Sequence, residues 1–276
     1  MSIRETLLPL AQLNANWRSG RWRGLRLLCY HSVVDEPTLT LLSKRTLVIS
    51  EEGFRRNLET IRTSGYQVLS MAHALELLES GGSAYGQYIC ITFDDGRLDN
   101  FTTAWPILRN YDYSAHFFVN SALVGTHAQG AQDSYVDRFM AADQMRAMMS
   151  EGASFGSHGQ THRDLTTLDA ESIRRELSES RRELEEMLGT PVVTHAYPYA
   201  LYDKRVLQEI RDVGYSYGFK VNTGVATFAG GANRYTLVRN AMRSGRDNPE
   251  NYALIRGGYD FSSAYSEAKM RFKYKL

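Results

Sequence analysis

The chain has 276 residues, enough for one large domain with a substantial core, and its 43% apolar and 23% charged content excludes wholesale disorder. A count of 32 Lys plus Arg against 31 Asp plus Glu leaves a net charge of +1, which argues against nucleic-acid binding as the main purpose. The two cysteines, Cys29 and Cys90, lie inside apolar runs as small buried hydrophobes, so no disulfide framework is indicated and a reducing compartment suits the chain.

Taken in order, residues 1–24 form a basic arm with Arg4, Arg18, Arg21 and Arg23 beside Trp17 and Trp22. Packing across the bottom of the main domain or against a partner subunit is the preferred account of this arm. Peripheral contact with an anionic membrane face is the other. Leu7 to Ala11 is too short for a secretory core, and no run approaches the roughly 20 apolar residues of a membrane span, so a cytoplasmic location is expected, at most peripheral to the inner membrane.

Leu25 to Tyr30 reads as the first strand, ending at His31, and Asp35-Glu36-Pro37 as a loop. A helix starts at Ser50, with Phe54, Leu58 and Ile61 on one face, and stops at Gly65. A short strand follows over Tyr66 to Leu69, a helix over Met71 to Leu78, and a strand over Tyr88 to Phe93. Asn100 to Asn110 reads as a helix kinked at Pro106, Ser114 to Asn120 as a strand, and Val124 to Ser134 as a polar surface loop. A Met-rich helix over Asp137 to Glu151 leads to a strand over Ala153 to Ser157. The clearest helix opens at Thr167 or Asp169 and runs to Leu188, before Gly189. Its Arg and Glu residues pair with one another on a solvated face and receive no function. Strands over Val192 to Tyr197, Tyr215 to Val221 and Tyr235 to Asn240 enclose a helix over Lys204 to Val213. Strands alternating with helices argue for a parallel sheet; closed into a barrel, it gathers its functional residues at the C-terminal strand ends.

Two stretches carry chemistry. Ile89 to Gly96 is an apolar run ending in adjacent carboxylates, Asp94 and Asp95, which reach one cavity only where the strand frays. Ser157 to His162 holds two histidines four apart, on one side of a helical turn. Asp95, His158 and His162 together make a three-ligand set that leaves a coordination position open for water, the mark of a catalytic metal site. Asp94 is then the natural general base.

Thr92-Phe93-Asp94-Asp95-Gly96, Ser157-His158-Gly159-Gln160-Thr161-His162 and Ala196-Tyr197-Pro198-Tyr199 resemble, in order and spacing, the first three motifs of the polysaccharide deacetylases, the chitooligosaccharide deacetylase-like enzymes of carbohydrate esterase family 4. The resemblance runs from about Leu27 to Arg239. Leu28-Cys29-Tyr30-His31-Ser32-Val33 and the Tyr-Pro-Tyr form of the third motif resemble the branch of biofilm poly-N-acetylglucosamine deacetylases. The resemblance implies an α/β fold, a distorted (β/α)7 barrel forming a single domain over 25–276 with a C-terminal extension. It implies a divalent cation, Zn2+ foremost, held by Asp95, His158 and His162, with Asp94 as base. The substrate implied is an N-acetylated saccharide, which loses acetate and keeps a free amine. The backbone N–H of Tyr199 matches the family's oxyanion donor.

The chain also departs from the family pattern. It has no histidine after His195, where related enzymes place their general acid, so the candidates are His31, His73, His116, His127 and His195. His31 is preferred, from its strand-end position and its branch; His195 is second. Ala196 replaces an arginine that orients the base, Ala200 replaces a glycine, and no fourth-motif acid is evident over Gly214 to Thr223. Arg239, ending the last strand, is expected to supply the missing cation beside Asp94. The alternatives are a lipid-linked sugar or a small cyclic amide as substrate, or a non-catalytic saccharide-binding module.

Overall fold

Among the described residues ten strands are interspersed with helices: β1 Gly24–Tyr30, β2 Ser32–Val34, β3 Val48–Ser50, β4 Gln67–Val68, β5 Gln87–Phe93, β6 Ala115–Val119, β7 Ser154–Ser157, β8 Thr194–Ala196, β9 Tyr217–Val221 and β10 Leu237–Ala241. The computed structural model describes residues 24–41, 47–82, 86–127, 138–222, 224–226, 233–245 and 248–258. The basic arm up to residue 23, most of the polar loop after Val124 and residues 259–276 of the C-terminal extension lie outside the described residues.

Seven strands, in the order β1-β10-β9-β8-β7-β6-β5, close into a parallel barrel through the β1–β5 pairing, which runs from Gly24↔Gln87 to Tyr30↔Phe93. The free edge of β5 is shared: β4 pairs its start and β6 its end. The expected seven-stranded (β/α) barrel is thus the fold of this chain. Side chains alternate along each strand. On β5, Ile89, Ile91 and Phe93 face the surrounding helices while Cys90, Thr92 and Asp94 face the interior. The outward set joins a train of rings, Tyr30, Phe93, Phe117 and Phe155, whose successive centroids are 5.4, 5.0 and 5.5 Å apart.

The helices are α1 Glu36–Leu41, α2 Glu51–Thr63, α3 Met71–Glu79, α4 Trp105–Arg109, α5 Ala142–Ser150, α6 Ala170–Leu188, α7 Lys204–Asp212 and α8 Pro249–Ile255. Their starts follow local chemistry: Ser50 Oγ accepts from Gly53 N–H and an Asp169 carboxylate oxygen from Ser172 N–H. Gly189, at φ 70°, ends α6 in the left-handed region. No helix among the described residues is long and apolar enough to cross a membrane.

Four expectations are corrected. Asp35-Glu36-Pro37 opens α1 rather than a loop, with Asp35 accepting from Thr38 N–H and Pro37 in the first turn, where its missing N–H costs nothing. A turn of π-helix over Asn100–Ala104 precedes α4, so Pro106 sits at a helix start and not at a kink. α5 begins at Ala142, not Asp137, because Arg138 and Phe139 form antiparallel bridges to His127 and Arg97. The segment between His158 and His162 is not helical. The β2–β3 pair and α8 went unread in the sequence.

Candidate active site

At the C-terminal rim of the barrel, β5 delivers both carboxylates. Asp94 follows the strand parity and points inward, 3% exposed. Asp95 has φ 75°, and this left-handed residue breaks the alternation so that both acids serve one rim. Gly96 completes the turn: a Cβ there would stand 2.8 Å from Val119 Cγ1.

Arg239 comes from β10 with its guanidinium fully buried. Its Nη1 donates to Asp94 Oδ1 at 2.5 Å and its Nη2 to Oδ2 at 2.8 Å, while Nη1 also reaches Thr92 Oγ1 at 3.2 Å. The Cys29 thiol donates to Oδ2 at 3.4 Å. Burial alone would raise the Asp94 pKa, but Arg239 foremost, then His158, hold it well below the usual carboxylate range. Burial pushes the Cys29 thiol up, so it stays protonated.

Beside this pair, Asp95 Oδ1 lies 3.7 Å from His158 Nε2 and 3.4 Å from His162 Nε2. Each residue has one ligand atom within 4.8 Å of the others'. Ala196 carbonyl oxygen accepts from His158 Nδ1 at 2.8 Å. A carbonyl can only accept, so Nδ1 carries a proton, and Nε2 is the ring nitrogen turned toward Asp95. Burial, then His158, lower the His162 pKa and favour its neutral imidazole. Two imidazole nitrogens and a carboxylate oxygen are the donors that zinc and its neighbours accept, so these residues fit a divalent cation. Asp95 Oδ2 is taken by Arg97, whose Nε and Nη2 donate at 3.3 Å.

His31 gathers with Cys29 and Asp94 in a second group of close side chains, and its carbonyl accepts from Asn100 Nδ2 at 2.7 Å. Tyr199 is 62% exposed, its ring centroid 4.7 Å from that of His162. Six of the seven residues picked from the sequence therefore stand on one rim, while Arg239, expected at a strand end, lies in the middle of β10 and reaches Asp94 from within the barrel. Among the other histidines, His73 and His127 are exposed and His116 is buried in the barrel interior. His195, the second choice for the acid, is buried outside the barrel wall against Ser157. Sequence reasoning missed Arg97 and Cys29 as neighbours of the acids. Cys29 stands two residues before His31, on the same face of β1, and that spacing was a usable signal.

A parallel (β/α)7 barrel with its acids and imidazoles at the C-terminal strand ends is the class this fold and rim define. Residues 82–218 match the family model described as polysaccharide deacetylase, and the chain belongs to that family. It is similar to YxkH of Bacillus subtilis, 25% identical over 203 residues, covering 74% of this chain and 66% of that protein. It is also similar to the chitooligosaccharide deacetylase of Rhizobium leguminosarum bv. trifolii, 28% identical over 127 residues, 46% of this chain and 53% of that enzyme. The chain thus spans between half and two thirds of the length of these curated relatives. Among solved structures, the Streptococcus pyogenes deacetylase PplD in complex with acetate superposes with a TM-score of 0.70 at 27% identity, covering 83% of this chain and 96% of that one.

Proposed function

We propose that this chain is a metal-dependent hydrolase, with Zn2+ as its ion, that removes the N-acetyl group from an amino sugar of an oligo- or polysaccharide. The observation that carries this reading is the convergence of Asp95, His158 and His162 beside a carboxylate held ionised by Arg239. Family membership supports it. Poly-N-acetylglucosamine is a fitting substrate, from the Tyr30-His31 strand and the Tyr197-Pro198-Tyr199 form of the third motif.

When bound, the cation supplies Lewis acidity toward a water and toward the amide oxygen. Asp94 accepts the proton that the attacking water gives up. Arg239 and Cys29 occupy both lone pairs of Oδ2 and one of Oδ1, which leaves Oδ1 to receive that proton. The water oxygen bonds to the acetyl carbon, Tyr199 N–H donates to the oxyanion, the carbon–nitrogen bond breaks, and His31 gives its proton to the departing amine. The exposed Tyr199 ring flanks the sugar. A binding module needs no ionised base next to its ion, so Asp94 and Arg239 favour the enzyme.

Acetate release from N-acetylglucosamine oligomers, before and after chelation and with Zn2+ restored, tests the reading. Turnover that stops on chelation and returns with the ion is expected. A purified chain that neither holds a divalent metal nor releases acetate would falsify it.

A further inference from the structure

The turn from His158 to His162 has no helix to hold it, and it needs two left-handed residues, Gly159 at φ 88° and His162 at φ 63°. Its stiffness comes from α6. Glu176, 5% exposed, accepts the N–H groups of Gln160 and Thr161 on Oε2 at 3.1 and 3.0 Å, and the Thr161 hydroxyl on Oε1 at 2.5 Å. One helical heptad on, Glu183 accepts from Gln160 Nε2 at 2.8 Å and from Ser121 Oγ at 2.6 Å. Ser121 and Ala122 N–H also donate to the carbonyls of Gly159 and Gln160 at 3.2 and 3.1 Å.

Glu176 differs from the solvated acids of the same helix. Glu171 pairs with Arg175, and Glu179 and Glu186 with Arg182. Glu176 forms no ion pair among the described residues, and every hydrogen bond it accepts comes from the ligand turn. A buried carboxylate without a cation is costly unless its donors stay in place. That cost ties the shape of the turn to α6, and the turn carries both imidazoles.

We infer that Glu176 is a positioning residue of the metal centre, braced by Glu183, and that it sets the affinity for the ion by fixing the separation of His158 and His162. The inference rests on the metal reading above. Partners that orient first ligands in this way typically contribute a factor of about 10–100 in metal affinity.

The test is Zn2+ affinity by competition with a chromophoric chelator, with the visible spectrum of the Co2+-loaded protein as a second readout. Glu176→Ala is expected to weaken Zn2+ binding about 10–100-fold and to alter the Co2+ spectrum. Glu176→Gln keeps an oxygen for both backbone N–H groups and is expected within a few-fold of the parent, as is the solvated control Glu179→Ala. Should Glu176→Ala not fold, Glu176→Asp, one methylene shorter, is expected to lose about 10-fold. Parent-like Zn2+ affinity and Co2+ spectrum in whichever of Glu176→Ala and Glu176→Asp folds overturn the inference while the metal reading stands. A parent protein that takes up no ion overturns both.

Discussion

The rim and the wall of the barrel use the same side chain to opposite ends. At the rim, the Nε2 atoms of His158 and His162 face one carboxylate oxygen, and the Nδ1 of His158 is occupied by a carbonyl. In the wall, hydroxyls take up the imidazoles: His116 bonds Ser154 Oγ at 2.7 Å and Thr194 Oγ1 at 2.9 Å, and His195 bonds Ser157 Oγ at 3.0 Å. Burial drives the His116 pKa down to about 3 and that of His195 well below its ordinary value, so both are neutral spacers. What sets a ligand apart is a ring nitrogen aimed at an acid rather than at a hydroxyl.

The largest effect expected from breaking this contrast is the loss of the ion. His158→Ala should abolish metal uptake and acetate release while leaving the fold intact. His116→Ala should do the reverse, retaining the ion but losing about 2–4 kcal/mol of stability, because Ser154 and Thr194 are left without their partner around a cavity. Metal content and denaturant unfolding on both variants decide it. Metal loss in His116→Ala alone would erase the distinction.

Arg239 is a wall residue serving a rim acid, and replacing it sharpens the boundary between the two. Arg239→Met leaves Asp94 buried without its cation, which costs about 3–5 kcal/mol. The sign with pH follows. In the parent, the depressed Asp94 pKa contributes stability above the unfolded value of 3.8 and loses it as pH falls. In the variant, burial acts unopposed by the guanidinium, so the deficit should be largest near neutrality and shrink in acid. A deficit independent of pH would show that Arg239 acts by packing over Phe118. Turnover should fall with the base misplaced, and full turnover would remove Arg239 from the mechanism.

Asp99 is the counterexample within the rim, a buried acid with no arginine clamp. Its Oδ1 accepts from Val33 N–H at 2.9 Å and from Asn100 Nδ2 at 3.0 Å, tying the turn after β5 to the segment that follows His31. Burial raises its pKa to about 6 against those bonds. With the folded value above the unfolded one, the folded state binds the proton more tightly, so this contribution is full below 3.8 and declines as pH rises toward 6. Asp99→Asn should remove that decline, a difference on the order of 2 kcal/mol between pH 4 and 7 in paired unfolding curves. Parallel curves for parent and variant would refute the shift.

How much of this was legible from the residues alone follows from what each signal depends on. Strands were readable because alternation and apolar runs are local, and Asp94, Asp95 and His31 were found because a barrel collects its chemistry at strand ends; Arg239 was found although it lies mid-strand, because its inward side chain still reaches Asp94. The turn between the two imidazoles was misread as helical because a spacing of four is shared by a helix and by a loop with left-handed residues. Glu176 was passed over because its neighbours along α6 are equally acidic. Only tertiary packing decides that residues 176 and 183 face the barrel while 171, 179 and 186 face solvent.

The smallest expected effect concerns backbone rather than charge. Of the non-glycine residues with positive φ among those described, Asp95, His162, Tyr199 and Ala200 all belong to the rim. Tyr199 at φ 56° and Ala200 at φ 59° are consecutive, an arrangement that costs about 1 kcal/mol or more per residue for any side chain with a Cβ. Glycine at 200 relieves the strain but gains freedom in the unfolded chain, so Ala200→Gly should net about 0.5–1 kcal/mol, a rise of about 2 °C in Tm. Strain of this kind persists where the surrounding structure over-determines it. If it holds the Tyr199 N–H toward the oxyanion, the more stable variant should also turn over more slowly, with KM unchanged. A rise in Tm with unaltered kcat would mean that the strain at 200 is incidental, and that the rim holds its shape through the hydrogen bonds to the His158–His162 turn instead.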